Sequence, residues 1–315
     1  KEAIKNSGIK STEKYKTGLI SATSVGGMVN TEKYYLSNNV KDGSIDYVNT
    51  HNAVKSTELI ANSLGIKGYI STISTACSSA ANSIMLGARM IRSKKLDRVI
   101  VGGTDSLAKF TINGFNSLML LSEKECMPFD ANRSGLNLGE GSAFLVLESK
   151  EVINKEKKKI IANISGYGNA NDAYHQTGSS EKGDGAYLAI NKAIKTATID
   201  TKDIDYINMH GTGTNNNDIS EGIAVKRIFD TVPAFSSTKP YTGHTLAAAG
   251  AIEAVYSILA LNNNVIFPNL NFKKEIPELN LKPVTKVTYK NINHVLSNSF
   301  GFGGNCTALI FSKNE

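Results

Sequence analysis

Short apolar runs, several closing on glycine, alternate along the chain with longer amphipathic or small-residue stretches. Residues 98–103 (RVIVGG) and 143–148 (AFLVLE) read as short buried strands, and 204–209 leads straight into a glycine-rich loop. Residues 295–299 and 308–311 frame a glycine turn and read as a hairpin, while 78–92 and 246–261 carry helical spacing. Alternation of this kind selects an α/β architecture, with helices covering the sheets. At 315 residues the chain is long enough for two lobes or one large layered unit, and it can bury a core without covalent staples. The lysine-rich run 150–159 is the sharpest shift in composition. It reads as a solvated connector and divides the chain into halves 1–155 and 156–315.

With 41% hydrophobic and 20% charged residues, disorder and fibrous structure are excluded. The three cysteines, Cys77, Cys126 and Cys306, are too few and too odd in number for a disulfide framework, which points to a reducing compartment, the cytoplasm. The net charge is 35 − 28 = +7, spread along the chain without any nucleic-acid motif. An excess of this moderate size can steer an acidic partner but does not by itself name one. The apolar stretch 246–261 contains Glu253 and several Ala and Gly, and so reads as a buried helix and not a membrane span. The chain opens on Lys1 without an initiator Met and reads as incomplete at its start.

Chemistry-bearing residues gather in three kinds of loop. In STACSSA (74–80), a strand-like run enters and a small-residue helix leaves, so Cys77 falls at a helix N-terminus. Free N–H groups and the positive dipole end there favour a thiolate, and the small neighbours let a bulky acyl chain or another stretch of backbone approach. A buried cysteine serving as a small hydrophobe is the competing reading of that segment alone. His210 opens HGTGT (210–214) directly after a strand, and His244 closes SSTKPYTGH (236–244) directly before a helix. A rigid sheet positions residues on such loops while their backbone stays accessible. Lys239 lies five residues before His244, within reach of the same loop. Glu253, inside an apolar helix, needs a buried partner and reads as a supporting group. The spacings of Cys77, His210 and His244 match no compact zinc pattern, so a proton-relay pair beside a thiolate is the better chemistry. NSFGFGGN (298–305) can bend sharply, offer backbone N–H groups to an oxyanion and use Phe300 or Phe302 as a lid, although an ordinary hairpin turn has the same pattern. Asp218 reads as a helix cap, with Glu221 completing a capping box. His51, His175 and His294 lack partners in sequence, and Cys126 reads as incidental.

Taken in order and interval, TACSSA around Cys77, HGTGT at His210, STKPYTGH with Lys239 and His244, and NSFGFGG with Phe300 and Phe302 resemble the β-ketoacyl-acyl carrier protein synthases of the elongating class. VGGTDS (101–106), PFD (128–130) and GEGSAFLVLE (139–148) fit between them, so the resemblance runs through nearly the whole chain. It implies a thiolase-like fold, two similar α/β halves stacked as α-β-α-β-α, assembled as a homodimer or, alternatively, a heterodimer. It implies that Cys77 accepts the acyl group and that His210 and His244 promote decarboxylation and carbon–carbon bond formation, with Lys239 and Glu253 in support. The backbone N–H groups of Cys77 and Phe302 would form the oxyanion hole, Phe300 and Phe302 the gate, and Thr212 and Thr214 the phosphopantetheine contacts. The implied reaction condenses malonyl-carrier with the acyl group on Cys77. It requires no metal, nicotinamide or flavin, the substrates being carried on the phosphopantetheine of acyl carrier protein.

The chain departs from the family pattern at four positions. Met127 stands where Arg is common before PFD, Ser134 replaces Asp after Arg133, and Asn305-Cys306 replaces Thr-Asn after the glycine turn. These changes point to a reshaped gate or pocket. They keep open a specialised polyketide or polyene ketosynthase and a non-catalytic partner subunit, against which the retained Cys77 argues. A thiolase is the nearest rival through Cys306, but two histidine loops with Lys239 favour the decarboxylating class.

Overall fold

The computed structural model describes residues 1–37 and 46–314. Two sheets form its frame. The first runs in the order Ile70–Ile73, Thr17–Ala22, Arg98–Asp105, Gly141–Glu148, with three parallel strands and an antiparallel last one. The second runs Asn163–Asn171, Asn305–Ser312, His294–Phe300, Tyr206–Asn208, Ala234–Ser236. Its last three strands are parallel, and the other two joins are antiparallel. The two sheets therefore share one pattern of pairing directions, except that the second carries an extra antiparallel strand. Among the described residues, Gly141–Glu148 has a strand partner on one side only.

Burial on both faces explains why strands such as Thr17–Ala22 read as unbroken apolar or small runs and do not alternate. Between the sheets lie Ser79–Arg92 and Ala249–Asn263, and one core cluster joins Ala80, Ala81, Ile84, Ala251 and Ala254 to Ile20 and Val101 of the first sheet and Val295 and Leu309 of the second. Small side chains let these helices sit close to strands on both sides. Outside, Ala53–Leu64 covers the first sheet around Leu19 and Ile100, and Asp184–Ala197 with Asn215–Ile228 covers the second around Leu296, Ala308 and Ile310. The result is the expected five-layer α-β-α-β-α stack.

Leu246–Asn263 is long and apolar enough by composition to cross a membrane, but it forms the central layer, and its buried residues include Gly250, Glu253 and Leu261. It is broken near its start: Leu246–Ala248 is a 3-10 turn, and Leu246 itself has φ +56°. The 295–311 hairpin is present as His294–Phe300 paired antiparallel with Asn305–Ser312. The lysine-rich connector departs from its reading. Lys150–Glu156 is a helix capped by Ser149, and Lys158 turns inward to bond both oxygens of Glu148 at 2.8 and 2.9 Å. The cause is Arg98, only 1% exposed, whose Nε lies 2.6 Å from Glu148. A buried cation requires nearby carboxylates, and Glu148 and Glu156 supply them and draw the connector in.

Candidate active site

Cys77 sits at a sharp corner. The strand Ile70–Ile73 ends, Ala76 takes a left-handed φ of +50°, and the helix begins at Ser79. Thr75 N–H donates to Ser79 Oγ at 2.7 Å and Ser78 Oγ donates to Thr75 O at 2.8 Å, so side chains hold a bend that an alanine does not favour. The helix N-terminus is where the sequence placed it, but the expected thiolate is not the resting state. Burial pushes the Cys77 thiol up to about 11, against the opposing pull of Lys239 and of the Phe302 backbone N–H. Desolvation of the anion outweighs the favourable end of the helix.

The glycine turn lies directly over this corner. A Cβ on Gly301 would stand 2.7 Å from Thr75 O and 3.2 Å from Cys77 N, so only glycine admits the approach. Phe300 is buried, with its ring 5.6 Å from that of His210. Phe302 is half-buried and stacks on Phe115 at 5.5 Å.

His210 and His244 come together edge to face, ring centroids 5.4 Å apart, both buried. Lys239 bonds within its own loop through its main chain, its N–H donating to Ser237 Oγ at 3.3 Å and its carbonyl accepting the Gly243 N–H at 2.8 Å, while its side chain turns elsewhere. It starts the short helix Lys239–Thr242 and reaches across to His210, 2.5 Å from its carbonyl oxygen and 3.3 Å from Nδ1. Its ammonium also pairs with Glu253 Oε1 at 2.5 Å, the partner that this buried carboxylate required. Because an ammonium only donates, His210 Nδ1 is an acceptor and its proton sits on Nε2. His244 Nδ1 accepts the Leu246 N–H at 3.2 Å, which assigns the same tautomer. Burial, then the Lys239 charge, holds both imidazoles well below their usual pKa, with His244 adding to the effect on His210. Two neutral rings with Nε2–H groups thus stand side by side.

Thr212 and Thr214 share a hydrogen bond at 2.9 Å between their hydroxyls. The buried Cys126 donates to Thr212 O at 3.2 Å from beneath the loop. The capping box is not formed, because Thr214 is the N-cap and Asp218 and Glu221 lie inside Asn215–Ile228. Both carboxylates are instead buried loop anchors. Glu221 accepts from His210 N and Gly211 N at 2.9 and 2.8 Å, and Asp218 from Phe129 N at 2.7 Å. Asp105, also unassigned from sequence, accepts from Ser24 N and from Ala247 N at 2.9 Å, tying the first half to the segment after His244. Its only signal was an acid closing a buried strand. His51, His175 and His294 bond to Thr31, to local backbone and to Ser312, away from this cluster. Among the described residues, no group of three or more His, Cys, Asp or Glu side chains is arranged to hold a metal.

The family model for the beta-ketoacyl synthase N-terminal domain matches residues 1–152, and that for the C-terminal domain matches 161–273. Over 259 residues the chain is 39% identical to 3-oxoacyl-[acyl-carrier-protein] synthase 2 of Rhizobium meliloti, covering 79% of this chain and 62% of that one. A protein of the same name from Staphylococcus aureus is 37% identical over 262 residues, 80% of this chain and 63% of the other. The chain thus spans under two thirds of the length of these relatives. Among solved structures, a ketosynthase from Xenorhabdus doucetiae in complex with its chain length factor superposes with TM-score 0.88 at 34% identity, covering 99% of this chain and 77% of that one. A beta-ketoacyl synthase from Burkholderia phymatum gives 0.86 at 30%, covering 98% and 78%.

Proposed function

The chain belongs to the β-ketoacyl synthase family, and from that premise we propose that it catalyses the decarboxylative condensation of a malonyl thioester with an acyl group held on Cys77. The observation that carries this reading is the pair of neutral imidazoles, His210 and His244, presenting Nε2–H donors in one buried site. Cys77, a thiol at rest, attacks the carbonyl of an acyl-carrier thioester. As the new S–C bond forms, sulfur loses its proton and the departing carrier thiolate takes one up, leaving a covalent acyl-enzyme. The carrier leaves and a malonyl-carrier enters past Thr212 and Thr214, with Phe302 as gate beside Phe300. Loss of carbon dioxide puts an electron pair into a thioester enolate, whose oxygen accepts both Nε2–H bonds. That carbanion attacks the acyl-Cys77 carbonyl, whose oxyanion sits against the N–H groups of Cys77 and Phe302. Collapse frees Cys77 and a β-ketoacyl-carrier two carbons longer. Lys239 and Glu253 fix His210 and its tautomer. No step calls for a metal, nicotinamide or flavin.

The partners that follow are acyl carrier protein and a second copy of the chain. The helix Lys109–Ser117 contains no buried residue, and Phe110 and Met119 are 67% and 88% exposed, an apolar face suited to a homodimer. A related second subunit is the alternative, favoured by the likeness to a ketosynthase solved with its chain length factor. We place the reaction in the cytoplasm and the boundary between halves near residue 155.

The test is intact mass after mixing with acyl-carrier protein, followed by peptide mapping and a malonyl-carrier chase. An acyl adduct on Cys77 that disappears as β-ketoacyl-carrier forms is expected, and Cys77→Ala abolishes it. His244→Ala keeps the adduct but slows the chase about 100-fold or more, the typical cost of one oxyanion donor. An adduct on Cys126 or Cys306 in its place would overturn the assignment.

A further inference from the structure

The side-chain oxygen of Asn305 is where three elements meet. It accepts from Asn82 Nδ2 at 2.8 Å and from Asn169 Nδ2 at 2.9 Å, and Ser78 Oγ, whose single proton it shares with Thr75 O, lies 2.8 Å away. Ser78 and Asn82 begin the helix after Cys77, Asn169 lies on the strand Asn163–Asn171, and Asn305 is the first residue after the glycine turn. The surrounding groups are satisfied among themselves: Asn82 Nδ2 donates to Thr75 Oγ1 at 2.9 Å, and Thr307 Oγ1 donates to Asn82 Oδ1 at 2.8 Å. The main chain of Asn305 also closes the turn, its carbonyl accepting Gly301 N–H at 2.9 Å. One residue thus grips the corner on both sides of Cys77, through Ser78 directly and Thr75 by way of Asn82, and fastens the turn that covers it.

We propose that Asn305 is a positioning residue, its side-chain oxygen holding the Gly301–Phe302 backbone in register with Cys77. This rests on Cys77 being the nucleophile. Residue chemistry explains why an amide serves here. Its oxygen stands one bond further from the backbone than a threonine hydroxyl and accepts from several donors while giving up no proton. A connected polar cluster of this kind favours one arrangement. Cys77 reports on that arrangement. The Phe302 N–H and the Lys239 charge lower its thiol, burial raises it most, and Glu253 and Asp105 raise it further, while His210 and His244 beside the site stay neutral.

The experiment is alkylation of the intact protein by iodoacetamide across a pH series, with labelled cysteines identified by peptide mapping. In the wild type Cys77 is labelled ahead of Cys126 and Cys306. If it is not, the nucleophile reading itself fails, whatever the variants do. In Asn305→Leu, labelling of Cys77 is expected to be roughly tenfold slower near neutral pH, with the profile displaced by about one unit to higher pH. Cys126 and Cys306 stay protected, which separates lost alignment from lost fold. Ser78→Ala, a milder cut in the same cluster, slows Cys77 about threefold in the same direction, and adding it to Asn305→Leu has little further effect. An unchanged profile in Ser78→Ala and Asn305→Leu overturns the proposal. So does equal labelling of all three cysteines in Asn305→Leu accompanied by an unchanged Ser78→Ala.

Discussion

Glu221 lies beneath the His210 loop, 1% exposed, with both oxygens taking backbone N–H groups. Desolvation outweighs those bonds and the one from Asn298, raising its carboxyl from 4.5 to about 7. Between those values the folded chain holds a proton that the unfolded chain has released, so stability falls as pH rises through the window. The size is of order a few kcal/mol. Glu221→Gln removes this dependence while weakening the anchor at every pH by about 1–3 kcal/mol, since one N–H then faces an amide NH2. Melting temperature followed from about pH 5 to 7 checks it, and equal slopes for the two proteins would refute it. Asp218 and Glu221 also mark a limit of sequence reading. An acid three residues before another acid at a helix start fits a capping box and a pair of buried anchors equally well, and only the packing of Phe129 and the His210 loop tells them apart. The placing of Cys77 at a helix start and of His210 and His244 on loops between strand and helix was legible, because glycine and small residues mark such turns locally, whereas grouping them into one site rested on the order of the motifs. The reach of Lys239 across to His210 was not legible, because its partners lie 29 and 14 residues away in sequence.

The helix Ser79–Arg92 shows how an element answers to its neighbours on both sides. Gly87 faces the first sheet, where a Cβ would stand 2.5 Å from Val101 Cγ1 and 3.1 Å from Val99 Cγ1. Alanine has the better helix propensity by about 1 kcal/mol. Overpacking against β-branched residues costs about 1–3 kcal/mol and acts in a layer with no room to yield. Gly87→Ala is therefore expected to destabilise the protein by about 1–2 kcal/mol, read as a lower urea midpoint, and a raised midpoint would contradict the close approach. Strand positions were legible from apolar runs ending in glycine, and the structure extends 98–103 to Arg98–Asp105 and 143–148 to Gly141–Glu148. The connector at 150–159 was misread because lysine composition speaks for solvent, whereas Lys158 answers to carboxylates gathered by the buried Arg98.

At the scale of the molecule, local pattern supplied the α/β class, but it could not order the strands or stack five layers. Those pairings join residues as far apart as Asn163 and Ser312, and the order of the motifs along the chain carried that information. The apolar face of Lys109–Ser117 belongs to this scale too. Phe110→Arg combined with Met119→Lys is expected to shift the protein towards monomer in sedimentation velocity while leaving its melting temperature within a few degrees. Unchanged sedimentation of a wild-type dimer would place the contact elsewhere. Among the described residues, the strand Gly141–Glu148 pairs with Arg98–Asp105 on one side and with no strand on the other. Main-chain pairing reads no side chains, so a segment that settles there is chosen by how often it is near and not by what it spells. In a concentrated preparation the nearest candidate is the same edge on another molecule. Two such edges can anneal into one ladder, an assembly that would grow with concentration.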